Sequence, residues 1–124
     1  ESELERLGLE AHQLAFLGFS QGTMLSLHTG LRRAVAPAGI LGYSGRLEAA
    51  EYLADEITVR PPVLLIHGEE DPMLSIDQME KAESRLSECG VSVETHSSPG
   101  LGHGIDADGI RLGGDFLRRV FDVG

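Results

Sequence analysis

The sequence predicts an α/β domain built on a parallel sheet of about four strands with crossover helices. Two observations predict it. Short apolar runs alternate with amphipathic segments along the chain, as strands do with the helices that connect parallel neighbours. Two of the runs, Leu14–Phe19 and Val63–Ile66, are apolar without polar alternation, which reads as strands covered on both faces.

The elements follow in order. Leu14–Phe19 is the first strand. Met24, Leu27, His28 and Leu31 then recur at helical spacing and form one stripe, so His28 is expected in the core or on its rim. Gly39–Tyr43 is a second strand, and Leu47–Ile57 a short helix with Leu47, Ala50 and Leu53 inward. Pro61-Pro62 punctuates the chain before the Val63–Ile66 strand. In the next helix Ser75 and Gln78 fit a capping box, and Met79, Ala82, Leu86 and Cys89 form the stripe. Gly90 sits where a left-handed cap closes a helix. Val91, Val93 and Thr95 alternate with Ser92, Glu94 and His96, which predicts an edge strand with one wet face. Asp106 is placed to cap a last helix that Leu117, Val120 and Phe121 would pack down, with Arg118 and Arg119 at its negative end.

Composition narrows the function. With 124 residues the chain makes one domain, residues 1–124. Lys plus Arg number 10 and Asp plus Glu 20, a formal net charge of −10. Nucleic acids and anionic membranes need a basic footprint, so neither is expected as a partner. No apolar run approaches the ~18 residues of a membrane span. Cys89 is the single cysteine, which excludes a disulfide framework and a thiolate zinc site and fits a reducing, cytoplasmic setting. On its helix stripe it reads as a small buried hydrophobe.

Gly18-Phe19-Ser20-Gln21-Gly22 is a G-x-S-x-G pentad. Alone the pattern is a weak signal; here a buried strand leads in and an amphipathic helix leads out, the layout of a nucleophile elbow. Gly42-Tyr43-Ser44-Gly45 also follows a strand, but its spacing is wrong and no helix follows directly. A serine hydroxyl needs an adjacent base. His103 lies in the glycine-rich loop Pro99–Gly104, between the last strand and the last helix. Asp71 follows the most buried strand and is placed to fix the His103 tautomer. All three stand after strands, at the carboxyl edge of the sheet, where ligands bind. Glu70 and Asp77 are rivals for the role of Asp71. His67 reads as a locally hydrogen-bonded residue at a strand end, and His12 and His96 as surface residues. Glu69 and Glu70 read as a wet rim. Tyr43 and Met73 are candidates to line an acyl pocket, which core packing would explain as well.

With Gly18–Gly22, His67-Gly68-Glu69-Glu70-Asp71 and Gly100–Gly104 the chain resembles the C-terminal part of an α/β-hydrolase. The branch is the phospholipase/carboxylesterase family, which includes acyl-protein thioesterases. The resemblance implies cleavage of small carboxylic esters or acyl thioesters through an acyl-enzyme, with no cofactor and no metal. It implies Ser20 as nucleophile, His103 as base and then acid, Asp71 as its orienter, and the Gln21 backbone N–H as one oxyanion donor. Met73-Leu74-Ser75 departs from the apolar pair and proline that usually follow the acid.

Members of the family carry several strands before the elbow strand, and a His-Gly-type loop there supplies the other oxyanion donor. The present sequence begins about one helix before the elbow. Loss of one donor costs ~10²–10³ in rate, so weak activity is expected. The alternative is a non-catalytic fragment or interaction module that needs an N-terminal partner segment. The elbow strand would expose an apolar edge, expected to be covered in an antiparallel homodimer or by a missing N-terminal fragment.

Overall fold

The computed structural model describes residues 15–33, 37–47 and 50–122. Its strands are β1 (Ala15–Phe19), β2 (Gly39–Tyr43), β3 (Val63–Gly68) and β4 (Val93–Ser98). The helices are α1 (Gln21–Gly30), α2 (Leu53–Glu56, preceded by a 3-10 turn at Ala50–Tyr52), α3 (Asp77–Glu88) and α4 (Ala107–Asp122). The strands form one parallel sheet in the order β1-β2-β3-β4. Right-handed crossovers between consecutive neighbours put every connection on one face. Accordingly Leu27, Leu31, Leu53, Met79 and Leu86 share a single cluster with Ile40, Val63 and Leu65. On the other face α4 presents Phe116 to Leu41, Tyr43, Leu64 and Ile66.

Local chemistry accounts for the boundaries. At the end of α3, Val91 N–H bonds to Leu86 O and Gly90 N–H to Ser87 O, with Gly90 at φ 85°. This is a Schellman cap, which calls for a residue without a Cβ at the left-handed position. Asp106 does cap α4, its Oδ1 accepting the Gly109 N–H at 2.8 Å. The expected Ser75–Gln78 box does not form, and Ile76 stands at the N-cap without a side-chain capping bond. Ser75 Oγ accepts the N–H of Asp77 at 3.3 Å, while the Gln78 N–H goes to the Ser75 carbonyl.

Four expectations need correction. Leu14 lies outside the described residues, and among the described residues β1 is covered on one face alone. α4 packs over β2, β3 and β4, so Leu17 and Phe19 on that face of β1 are 59% and 40% exposed. Phe121 is exposed, and Phe116, at 1%, is the aromatic that anchors α4. His28 is exposed, turned away from the stripe that Leu27 and Leu31 form. On β4, Thr95 is exposed while His96 is half-buried, because α4 partly covers the side expected to be wet.

One contact governs how β1 turns into α1. A Cβ on Gly18 would lie 2.3 Å from the Gly22 carbonyl carbon and 2.4 Å from the Thr23 nitrogen, whereas one on Gly22 would meet nothing within 4 Å. Only Gly18 is therefore a steric requirement. Gly18→Ala should destabilise the fold by about 1–3 kcal/mol in urea unfolding. Gly22→Ala should be neutral or stabilising by up to about 1 kcal/mol, since alanine favours helix. Equal losses at both positions would contradict this packing.

Candidate active site

The register of the sheet brings the carboxyl ends of β1, β3 and β4 to one edge, and the turns after them carry Ser20, Asp71 and His103. Ser20 sits between β1 and α1 with φ 57° and ψ −114°. This conformation is sparsely populated for a residue with a side chain and costs of order 1–3 kcal/mol. The surroundings hold it there. Ser20 N–H bonds to Tyr43 O at 2.8 Å, and Ser20 O accepts the N–H of Thr23 and of Met24. Thr23 is buried, its Oγ1 2.9 Å from Gly18 O and 2.8 Å from Tyr43 O. Sequence reasoning missed Thr23, whose one local signal is its place four residues before Leu27 on the buried face of α1.

Asp71 stands in the turn after β3 with its side chain fully buried. Its Oδ1 accepts the N–H of Met73 at 2.8 Å and of Leu74 at 2.9 Å, an Asx-type turn. Its Oδ2 lies 2.6 Å from His103 Nδ1. Burial pushes the carboxyl up, but the Leu74 N–H, the His103 hydrogen bond, the Met73 N–H and the imidazole's charge outweigh it. Asp71 is held below its ordinary value of 3.8.

The His103 ring is half-buried, with Phe19 tilted against it at 5.0 Å between centroids. Its Nε2 is 3.0 Å from Ser20 Oγ. A carboxylate only accepts, so Nδ1 carries the proton toward Asp71, and Nε2 is left to accept from the Ser20 hydroxyl. The three expected side chains thus form one hydrogen-bonded series. Glu70 and Asp77, the rivals for the acid position, are exposed.

The loop that carries His103 is fixed by two contacts that sequence reasoning missed. Gly68 ends β3 so close to this loop that a Cβ would lie 2.2 Å from Gly102 O. Ser44, buried with φ 51°, donates from Oγ to Gly104 O at 3.2 Å. The Gly42–Gly45 stretch, set aside on spacing, therefore supports the histidine from the neighbouring strand. His67 is buried, with Nε2 2.7 Å from Leu74 O and 3.5 Å from Asp71 Oδ2.

The remaining candidates divide. The Gln21 N–H opens α1 beside Ser20, and no backbone acceptor takes it among the described residues; such first-turn donors are free to bind an anion. Met73 is 71% exposed, two residues beyond Asp71. Tyr43, by contrast, is no pocket residue. It is buried under α4, its hydroxyl donates to Gly109 O at 2.9 Å, and burial raises its pKa. No group of three or more His, Cys, Asp or Glu side chains suited to a metal ion occurs among the described residues, and no described helix is long and apolar enough to cross a membrane.

Comparison with known proteins gives a consistent result. Acyl-protein thioesterase 1 of Gibberella zeae is 33% identical over 101 residues, covering 77% of this chain and 43% of the relative. Esterase YpfH of Escherichia coli is 29% identical over 90% of this chain and 47% of its own length. The crystal structure of esterase PE8 superposes with a TM-score of 0.93 at 38% identity, covering 96% of this chain and 55% of that one. Arabidopsis thaliana SOBER1 shares the fold, with a TM-score of 0.88 at 24% identity. The chain thus spans about half the length of the curated relatives it matches. Residues 1–121 match the phospholipase/carboxylesterase family, and the chain belongs to that family.

Proposed function

We propose that the chain carries the nucleophile, base and acid of a serine hydrolase acting on small carboxylic esters or acyl thioesters. One observation carries the reading: the series Ser20 Oγ, His103 Nε2, His103 Nδ1 and Asp71 Oδ2, spaced at 3.0 and 2.6 Å. Ser20 Oγ attacks the carbonyl carbon while His103 Nε2 takes its proton. Asp71 stabilises the imidazolium that results. The oxyanion turns toward the Gln21 N–H at the positive end of α1. Collapse breaks the ester or thioester bond, and His103 returns the proton to the leaving oxygen or sulfur. Water then attacks the acyl-Ser20 carbonyl by the same path, giving the carboxylic acid and restoring the hydroxyl. Met73, exposed beside Asp71, is the residue proposed to touch the acyl group. Names of relatives such as acyl-protein thioesterase and esterase support the reaction class.

A second reading rests on the oxyanion site. Gln21 offers one donor, and a hole with a single donor is ~10²–10³ slower. In this reading the chain is a fragment or interaction module that a further segment completes. The outer edge of β1, unpaired among the described residues, carries a related proposal, that a second copy pairs antiparallel along it or that a complementary N-terminal segment does so. The two Ser20 side chains of an antiparallel pair would face opposite edges, so a second copy would cover β1 without completing the site.

Three measurements check these proposals. A fluorophosphonate should label the wild type at Ser20 and leave Ser20→Ala unlabelled; labelling no faster than in Ser20→Ala would end the hydrolase reading, and labelling without ester turnover would favour the second. Asp71 gives an acid dependence with a defined sign. Its native pKa lies below 3.8, so its stabilisation is complete above that value and is lost as pH falls from there through the native value. Urea unfolding between about pH 5 and about pH 2.5 should show a smaller loss on acidification in Asp71→Asn than in wild type, and identical slopes would contradict the depressed pKa. In a sizing experiment at micromolar concentration the chain should run as a dimer; a monomer would rule out the second copy.

A further inference from the structure

His67 is a buried group that the proposed chemistry does not use, and it lies beside Asp71. It occupies the next-to-last position of β3, is 1% exposed, and faces the turn that carries Asp71. Its Nε2 is 2.7 Å from the carbonyl oxygen of Leu74. A carbonyl only accepts, so this nitrogen carries the proton and donates. The same Nε2 lies 3.5 Å from Asp71 Oδ2, the oxygen that bonds to His103. The backbone of Leu74 is therefore held on both sides of its Cα, through two successive peptide groups. Its N–H donates to Asp71 Oδ1 at 2.9 Å while its C=O accepts from His67.

We infer that His67 is a positioning residue for the Asp71–His103 pair, acting through the Leu74 carbonyl; this rests on the roles proposed above for Ser20, Asp71 and His103. The physical case is one of constraint. The Asp71 turn, residues 71–76, spans β3 and α3, and a turn of this length has little stiffness of its own. Asp71 depends on it for two N–H donors, from Met73 and Leu74. The other anchor in reach is β3 itself, and His67 is the side chain of β3 that bridges strand and turn. Without its donor the Leu74 carbonyl loses its buried partner, the turn relaxes, and the carboxylate shifts against the imidazole. A misplacement of about 1 Å at such a site costs up to about 100-fold in rate.

The test compares His67→Gln, His67→Asn and His67→Leu with the wild type. Glutamine places its amide nitrogen where Nε2 stands, asparagine falls short of Leu74 O, and leucine has no donor. Two readouts are taken on each folded variant, as judged by thermal unfolding. One is the far-downfield proton resonance of the His103–Asp71 hydrogen bond, which needs no turnover. The other is the rate of fluorophosphonate labelling together with kcat and KM on p-nitrophenyl acetate.

The expected result is that the resonance weakens or disappears in His67→Asn and His67→Leu. Labelling and kcat should fall up to about 100-fold with KM unchanged, and His67→Gln should recover most of the signal and rate. If His67→Leu does not fold, the glutamine–asparagine pair decides. Equal behaviour of glutamine and asparagine, or a wild-type resonance in the asparagine variant, overturns the inference. Failure of the hydrolase reading looks different: the wild type does not label, while its resonance still reports whether His67 positions the pair.

Discussion

The contact on which the site depends is the 2.6 Å hydrogen bond between Asp71 and His103. A carboxylate taken wholly out of water is costly unless its lone pairs are met. Asp71 meets that cost with two backbone N–H groups on one oxygen and the imidazole on the other. The two amides belong to its own turn and the imidazole to a distant loop, so satisfying this one charge fixes the turn after β3 against the loop after β4. The orientation of His103 follows, since with Nδ1 committed to Asp71 the ring turns Nε2 toward Ser20.

The serine side of the site is held by packing. Gly18 allows β1 and the first turn of α1 to approach within atomic contact, and Thr23 spans the carbonyls of Gly18 and Tyr43. Ser20 keeps its strained backbone because these contacts over-determine it. Placing the strain at the start of a helix also sets the Gln21 N–H and the positive end of the helix dipole beside Ser20. The buried sheet supplies rigidity, and the chemistry-bearing residues stand in the turns beyond it.

The order and type of the elements were legible in the sequence because periodicity and punctuation agreed. Val63–Ile66 has no polar interruption, Gly90 stands after the last stripe residue of α3, and Asp106 opens α4. The three side chains of the site were legible because each follows a strand of a parallel sheet, and topology sends all such turns to the same edge. What escaped depended on packing between elements distant in the chain. Covering of β1 on one face is decided by where α4 lies, which no local pattern encodes. Tyr43 looked like a pocket residue because its strand ends near the site, yet alternation along β2 turns it under α4 toward Gly109. Ser44 and Thr23 are short polar residues whose roles come from carbonyls far away in sequence, on the His103 loop and on β2.

The most direct measurement is a crystal structure of the chain after reaction with a small fluorophosphonate. The expected adduct has a covalent bond from phosphorus to Ser20 Oγ, one phosphoryl oxygen about 2.7–3.1 Å from the Gln21 nitrogen, and the imidazole of position 103 still bonded to Asp71. An adduct on another side chain, or a phosphoryl group turned away from the start of α1, would contradict it.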